Sequence, residues 1–281
     1  MTTADNIREG NFSENIGPTR VVVGSSLSSE LHPERNEDSH LIDQVNDVYA
    51  VFDGLGGHYG GDIASGIAAS MVKERAGSIS LDGFEAIESW FKETLQDINT
   101  SILQVSRDAA TTTVIAKIHE HEGVLHASIG HVGDSRALIM HNGLLRMVTT
   151  DHTPFRKPGH TLEAMRQQEV LADVVDVEAL SQDSLRKAFH QRNIIGACLG
   201  HDEEVTADIK HFIVEKGDII LLTSDGVHDN LTLQKMQQIL AETDRRDIAS
   251  CLTNAANRRS RLRGDHPRAK PDDITAVAIT V

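Results

Sequence analysis

The sequence contains few of the residues that would indicate a disulfide-linked, membrane-spanning or secreted protein. Its only cysteines, Cys198 and Cys251, show neither CxxC spacing nor flanking histidines, which predicts buried, reduced thiols rather than a disulfide framework or a metal site. No apolar run reaches the roughly 18 residues needed for a membrane span. The opening MTTADNIREG lacks the apolar segment of a signal peptide. We therefore expect a cytoplasmic protein.

Aromatic residues and positive charge are also scarce. Aromatic residues make up 4% of the chain, so a packed core must depend on Val, Ile, Leu and Ala. The 42 acidic residues outnumber the 27 basic ones and give a formal net charge of −15. Such a charge repels nucleic acid and anionic lipid headgroups at long range. We therefore expect no nucleic-acid partner and no membrane partner.

Hydrophobic patterning indicates an α+β protein with antiparallel sheets. Residues 1–18 are polar and aperiodic, which predicts a flexible tail before a single domain over 19–281. Apolar stripes at helical spacing predict one helix containing Ile63 to Val72 and another containing Phe84 to Ile102. Residues 152–193 are polar and charged, and we interpret them as a partly helical flap inserted between strand-rich halves. Short runs rich in β-branched residues predict these strands: TRVVVG, LIDQVNDVYAVFD, TTTVIAKI, GVLHASIGHV, RALIMHNG, DIILLTSD and ITAVAITV.

Acidic residues stand where the predicted strands begin or end. The acids in these positions are Glu37, Asp38, Asp53, Asp134, Asp225, Asp272 and Asp273. Carboxylates on rigid strand ends are suitable oxygen ligands for Mg²⁺ or Mn²⁺. A single Asp-Gly pair is more often a turn. The whole set, with a cluster of glycines beside Asp53, favours metal binding, because carboxylates gathered without cations would repel one another.

Several motifs together resemble the metal-dependent protein phosphatase family, type 2C, in its bacterial form. They are RNEDSH, VFDGLGGHYGG, HVGDSRALI, HQRNIIGACLG, ILLTSDGVHDNL and DDITAVAIT, and they occur in the family's order and near its spacing. The resemblance covers most of residues 19–281. It implies a four-layer α-β-β-α sandwich of two antiparallel sheets flanked by helices, with the metals in a cleft at one end.

The resemblance also assigns roles to the acidic residues. Asp53 resembles the carboxylate that bridges two metal ions, and Gly54 the residue that lends a carbonyl oxygen to one of them. Asp225 and Asp272 resemble the remaining direct ligands. Glu37 and Asp38 resemble residues that hold metal-bound waters, whereas Asp134 and Asp229, with Asp225, match a third site. The implied cofactors are two or three Mg²⁺ or Mn²⁺ ions.

The site departs from the family pattern at the candidate general acid. Many members have histidine directly after the Asp-Gly pair, but this chain has Leu55. His58 follows three residues later. Because histidines are spread along the whole chain, we do not assign His58 a catalytic role.

Two further departures concern the phosphate-binding arginine and the final acidic pair. Pro33 stands where the family has arginine, and Arg35 supplies the nearest guanidinium, whose fork suits a phosphate. We take Arg35 as a candidate catalytic residue together with Asp53, Asp225 and Asp272, against the alternative of a solvated loop arginine. Asp273 replaces the usual asparagine, so it could exchange roles with Asp272. The strand register favours Asp272 as the ligand.

The function implied is hydrolysis of phosphoserine and phosphothreonine in proteins by a water activated between two metal ions. Expected partners are phosphoproteins made by a serine/threonine kinase, and the expected oligomeric state is a monomer. Two alternatives stay open, namely a pseudophosphatase binding module and a small-molecule phosphatase of the same fold. The chain has no CxxxxxR stretch of a cysteine phosphatase and no GxSxG elbow of a serine hydrolase.

Overall fold

Two antiparallel sheets form the centre of the protein. The structure is a computed structural model that describes residues 12–15, 20–55, 60–80, 83–154, 156 and 161–281. With strands numbered in chain order, the first sheet runs Phe12–Asn15 (β1), Val21–Leu27 (β2), Ile274–Thr280 (β13), Ile219–Thr223 (β12), Arg136–His141 (β9) and Leu144–Met147 (β10). The second runs Asp208–Ile213 (β11), Val124–Val132 (β8), Thr113–His121 (β7), Val48–Phe52 (β4) and Ser39–Asp43 (β3). Gly54–Leu55 (β5) and Ala110–Thr111 (β6) form a short separate pair.

Helices cover the outer face of each sheet. The second sheet packs against Gly61–Ala76 (α1) and Phe84–Val105 (α2). The first packs against Asp225–His228 (α5), Leu233–Glu242 (α6) and Ile248–Ser260 (α7). Thr161–Ala172 (α3) and Asp183–His190 (α4) lie between β10 and β11 in the chain.

The sheets pack face to face through an aliphatic core. Side chains that include Val51, Val114, Ile220 and Val277 fill the space between them. Every residue of β4 and of β12 is buried, which explains their continuous apolar runs, since each strand meets a helix layer on one face and the other sheet on the opposite face. The predicted α-β-β-α class is therefore confirmed.

Several details differ from the expectations. Residues 12–15 pair with β2 as an edge strand, while the rest of 1–18 lies outside the described residues, so the flexible tail over 1–18 stays a prediction. The stretch LIDQVNDVYAVFD is a hairpin of two strands, which turns at Asp47 with a φ of 50°. Strands β10 and β11 were not expected, because each is only partly buried and lacks a continuous apolar run.

The segment predicted as a flap contains two helices with a small core of their own. Val174, Val177 and Phe189 form this core, with Leu171 and Leu180 packed against it. The partly helical character is therefore observed. The boundaries 152–193 and the single-domain organisation stay predictions.

Two smaller observations concern the cysteines and the helices. Cys198 and Cys251 are free, as expected, but half-buried rather than buried. Among the described residues, none of the helices combines the length and hydrophobicity that crossing a bilayer requires.

The contact between α2 and the second sheet predicts how one glycine substitution affects stability. A Cβ added at Gly130 of β8 would lie 2.5 Å from the ring of Phe91, which is fully buried. We expect Gly130→Ala to lower the free energy of unfolding by about 1–3 kcal/mol through overpacking. Gly66→Ala is the matched control, because nothing lies within 4 Å of its added Cβ on α1. This helix position gains about 0.5–1 kcal/mol from alanine. Urea unfolding of both variants tests the expectation, and a Gly130→Ala protein as stable as Gly66→Ala would contradict it.

Candidate functional site

The acidic residues predicted from the strand ends come together at one end of the sandwich. Asp53 follows β4, Asp134 follows β8 after one glycine, and Asp225 begins α5 two residues after β12. The two sheets are joined here, because Ser224 Oγ donates a 2.8 Å hydrogen bond to Asp38 Oδ2. The register of both sheets therefore places carboxylates from distant parts of the chain in one cluster.

The main chain at Asp53 is held by neighbouring threonines. Its carbonyl oxygen accepts hydrogen bonds from Thr112 N at 2.8 Å and Thr111 Oγ1 at 2.9 Å. Its N–H donates to Thr112 Oγ1 at 3.3 Å. The side chain takes part in none of these bonds, so the carboxylate faces the cluster in a defined position.

Gly54 is required by close backbone packing. A Cβ at this position would lie 2.3 Å from the carbonyl oxygen of Gly61 and 2.4 Å from that of Glu37. Any side chain would separate α1 from the loop that carries Glu37. Two further glycines of the same motif, Gly56 and Gly57, lie outside the described residues, as does His58.

Asp225 is positioned by a second close approach. A Cβ on the following Gly226 would lie 1.9 Å from the carbonyl oxygen of Asp273, so only glycine lets α5 begin against the start of β13. Ser224 N donates to Thr275 O, and Thr275 N donates to Ser224 Oγ. These paired bonds fix where the Asp225 carboxylate lies.

The carboxylates strongly perturb one another. Burial raises the pKa of Asp53 well above its usual value, and the charges of Asp38, Asp225, Asp272 and Asp134 raise it further. Burial likewise raises the pKa of Asp38 and of Asp134. Burial also raises the pKa of Asp225 to about 7, although Lys270 opposes this shift. Without bound cations the cluster thus destabilises its own ionised form.

Several of these carboxylates have oxygens with no hydrogen-bond partner in the part of the chain that the structure describes. Among the described residues, Asp38 Oδ1, Asp225 Oδ1 and both oxygens of Asp134 are buried without a hydrogen-bond partner. Buried polar atoms in native proteins almost always have partners, so these carboxylate oxygens fit the ligand positions of a bound cation. An all-oxygen set of this kind fits Mg²⁺ or Mn²⁺.

The two aspartates before β13 have different surroundings. Asp273 is buried and accepts hydrogen bonds at 2.6 Å from the backbone N–H groups of Ser29 and Glu37. Asp272 is 32% exposed, and its Oδ2 lies 3.0 Å from Lys270 Nζ at the cluster. Asp273 therefore holds the loop that contains Ser29 and Glu37, whereas Asp272 faces the cluster. This orientation agrees with the preference for Asp272 that the strand register gave. The role of Asp272 as a ligand stays a prediction.

Arg35, the predicted phosphate-binding residue, forms an ion pair with Glu37 at the edge of the cluster. Its Nη2 is 2.9 Å from Glu37 Oε1, and its side chain is 26% exposed. Burial raises the pKa of Glu37, which the Arg35 charge opposes. The guanidinium thus lies against Glu37, another predicted site residue, and its role in binding phosphate stays a prediction.

Two side chains that contact the predicted site residues were missed by the sequence reasoning. Lys270 contacts Asp225, Asp229 and Asp272, although no motif pointed to it. Ser224 holds Asp38 through its hydroxyl and was visible only as part of a strand end. The many predicted carboxylates indicate that a lysine or arginine should lie near them. The sequence does not show which one, because that depends on the geometry of the loops.

A second group of potential ligands lies outside this cluster. His131, His152 and Asp208 each present a ligand atom within 4.8 Å of one another. However, Arg156 Nη2 lies 2.7 Å from Asp208 Oδ2, and His131 Nε2 is 3.0 Å from the carbonyl oxygen of Thr150. A protein cation therefore already neutralises this group.

Comparison with known proteins identifies the family. A family model described as Protein phosphatase 2C matches residues 30–259. The chain belongs to the protein phosphatase 2C family. The predicted resemblance is thereby confirmed, and the chain is a protein phosphatase of this type.

Similar proteins come from bacteria. The serine/threonine phosphatase stp of Listeria monocytogenes is 28% identical over 214 residues, which are 73% of this chain and 77% of that protein. The structure of serine/threonine phosphatase Stp1 from Staphylococcus aureus superposes with a TM-score of 0.68 at 23% identity, and covers 100% of this chain and 97% of that one. The catalytic domain of the phosphatase PstP, solved with two manganese ions, has a TM-score of 0.68 at 20% identity over 93% of this chain and 98% of that domain. The two structures share the fold of this phosphatase.

The unpartnered carboxylate of Asp134 predicts how the stability of the metal-free protein depends on pH. Because the folded-state pKa is raised, ionisation destabilises the native state as pH rises above about 4, the unfolded value. Asp134→Asn removes this penalty. In chelator, the variant should become more stable than wild type by up to about 1.4 kcal/mol for each pH unit until the folded-state pKa is passed. Urea unfolding between pH 4 and 8 measures the difference, and a constant or declining gap would contradict the assignment.

Proposed function

We propose that this phosphatase holds two Mg²⁺ or Mn²⁺ ions in its acidic cluster and hydrolyses phosphoserine and phosphothreonine in proteins. The observation that carries the proposal is the set of buried, unpartnered carboxylate oxygens around Asp53. The residues that would hold the ions are Asp53, Gly54 through its carbonyl oxygen, Asp225 and Asp272, with Glu37 and Asp38 holding coordinated waters. Asp134 and Asp229 would hold a third ion.

The chain's own residues orient the reaction. Bound divalent cations supply a water of lowered pKa and offset negative charge on the phosphate. Asp53 lies centrally, because four other carboxylates act on its pKa, and its main chain is anchored to Thr111 and Thr112. The hydrogen bonds from the two threonines fix the main chain of Asp53 and so restrict the movement of its carboxylate during the reaction. This rigidity is what an in-line attack on phosphorus requires.

Arg35 is the proposed phosphate-binding group. It is the guanidinium that pairs with Glu37 at the edge of the cluster, and a quarter of its side chain is open to solvent. A fork of N–H donors at the cluster edge can bind two phosphate oxygens together. The leaving group has no histidine at Leu55 to protonate it, so a solvent water fills that role in this proposal.

A cavity beside the cluster supports a protein substrate. It has a volume of about 250 Å³ and lies between the flap helices and the core, with Asp229 in its wall. Lys187, Arg192 and Arg268 also line it, which places positive charge on a strongly acidic protein. These cations suit the extra negative charge of a phosphorylated peptide.

The same observations weigh against the pseudophosphatase and leave the small-molecule phosphatase as the second candidate. A pseudophosphatase would have lost a ligand, whereas Asp53, Asp225 and Asp272 are all present. A small-molecule phosphatase of this fold would use the same cavity for its substrate. We also propose that the enzyme acts as a monomer in the cytoplasm on proteins phosphorylated by a serine/threonine kinase. Its two free cysteines agree with a reducing compartment.

The direct test of this function is hydrolysis of an aryl phosphate and of a phosphothreonine peptide, with Mn²⁺ or with chelator. We expect turnover of both with Mn²⁺ and of neither with chelator. Peptide turnover absent while aryl phosphate is hydrolysed would favour the small-molecule alternative. Peptide binding without turnover of either substrate would favour the pseudophosphatase.

Asp53→Asn tests the central ligand. The substitution removes a charge without changing size, so kcat should fall at least about a hundredfold, the scale of losing an electrostatic group at an active site. Asp97→Asn is the matched control, because Asp97 is an exposed residue of α2 paired with Arg75. Near-ultraviolet circular dichroism should show that both variants keep the fold. Full activity of Asp53→Asn would refute the metal-centre assignment.

Arg35→Ala tests phosphate binding. Because Arg35 would contact the phosphate in both the ground state and the transition state, KM for the phosphopeptide should rise more than kcat falls. The control is Arg75→Ala, which removes an arginine from an ion pair between α1 and α2. Steady-state kinetics of both variants decide the point, and an unchanged KM would leave Arg35 as a structural partner of Glu37 alone.

A further inference from the structure

Lys270 lies within the acidic cluster and places a positive charge among its carboxylates. Its Nζ is 3.0 Å from Asp272 Oδ2 and 3.3 Å from Asp229 Oδ2, and it donates a hydrogen bond to Asp225 Oδ2. A single ammonium thus meets three carboxylates. Two of them, Asp225 and Asp272, are residues proposed above to bind a divalent cation directly.

The loop that carries Lys270 is held in place. The amide side chain of Asn230, which is fully buried, accepts from Lys270 N at 3.0 Å and donates to Lys270 O at 2.8 Å. The same Nδ2 donates to Gly226 O at 2.8 Å, next to Asp225. The lysine is therefore attached by its backbone to the helix that carries its main carboxylate partner. Its position does not depend on the side chain alone.

The electrostatic surroundings favour the charged form of this lysine. Its Nζ lies within 3.3 Å of carboxylate oxygens of Asp225, Asp229 and Asp272, and opposite charges this close favour the ammonium form. On the other side of Asp229, Arg192 Nε lies 3.3 Å from Oδ1. This carboxylate is thus already neutralised by protein cations.

The cluster is consequently divided into two sides. On one side, Asp225 Oδ2, Asp229 and Asp272 face Lys270 or Arg192. On the other, Asp38 Oδ1, Asp225 Oδ1 and the Asp134 carboxylate have no hydrogen-bond partner among the described residues. A cation that approaches the first side meets the Lys270 ammonium directly, whereas the oxygens of the second side have no direct contact with it among the described residues.

We propose that Lys270 is a built-in counter-cation of the cluster. Its ammonium competes with divalent ions for the side formed by Asp225, Asp229 and Asp272. The proposal rests on the metal-dependent function above and adds a regulation of the same site. Lys270 keeps the carboxylates together when metal is scarce, and it weakens the binding of an ion at this side by competing for the same oxygens. Removal of its charge should therefore improve metal affinity and harm the metal-free fold.

Calorimetric titration of Mn²⁺ into wild type, Lys270→Met and Lys270→Arg tests the proposal. Methionine keeps an unbranched side chain as far as the ε position and lacks the charged amine. We expect Lys270→Met to bind Mn²⁺ at least about tenfold more tightly in one event, or to bind one more ion, the scale on which groups around metal ligands alter affinity. Lys270→Arg keeps the charge and should titrate like wild type.

Thermal unfolding in chelator provides a second readout that does not depend on activity. Lys270→Met should have a lower Tm than wild type, because three carboxylates lose their shared cation, and saturating Mn²⁺ should remove the deficit. Lys117→Met is the matched control: this buried lysine binds the carbonyl oxygen of Asn46 before β4, at the opposite end of that strand from Asp53. Its Mn²⁺ titration should equal that of wild type.

The possible results separate this inference from the proposed function. Equal Mn²⁺ affinity and stoichiometry in wild type and Lys270→Met would overturn the counter-cation while leaving the metal centre in place. If Lys270→Met folds only in the presence of Mn²⁺, the dependence on metal supports the proposal. Failure of the wild-type protein to bind Mn²⁺ would overturn the metal centre itself, and the inference with it.

Discussion

Mutual repulsion among buried carboxylates is the constraint on which the rest of this site depends. Asp38, Asp53, Asp134 and Asp225 all have raised pKa values because burial and neighbouring acids oppose their ionised forms. No packing argument favours such a cluster, since apolar residues would be more stable there. The fold tolerates it because the two sheets hold the acids rigidly, and because cations offset their charge. Lys270 supplies one cation from the protein, and the remaining unpartnered oxygens suit divalent ions.

Close backbone contacts at two glycines position the carboxylates of the cluster. Gly54 lets α1 approach the loop of Glu37, and Gly226 lets α5 begin against Asp273. Each glycine lies directly after a cluster aspartate, so each aspartate is carried by backbone that cannot shift without a clash. The Asp-Gly pairs that look like ordinary turns in the sequence are therefore points of dense packing. Their role is to position carboxylates, and the large sheets around them supply the stability that the cluster opposes.

Sequence reasoning predicted most of what local pattern determines. Fully buried strands such as β4 and β12 were found because a short, continuous apolar run is typical of a strand covered on both faces, and the acids at their ends followed from the same pattern. The hairpin at Asp47 was missed because Val45 continues the apolar pattern through the turn, although Asn46 and Asp47 are typical turn residues. Lys270 could not be found, because Asp225 and Asp229, two of its three partners, are distant in sequence and its place is set by Asn230. Loop contacts of this kind depend on tertiary geometry.

The most direct test of the central claim is a crystal structure of the enzyme grown with Mn²⁺, measured at the manganese absorption edge. Anomalous scattering locates manganese without reference to activity or to the assigned roles. The account predicts peaks that share Asp53 as a common ligand, with Asp134 or Asp38 close by. A map with no peak at Asp53, or with manganese only beside His131, His152 and Asp208, would contradict it.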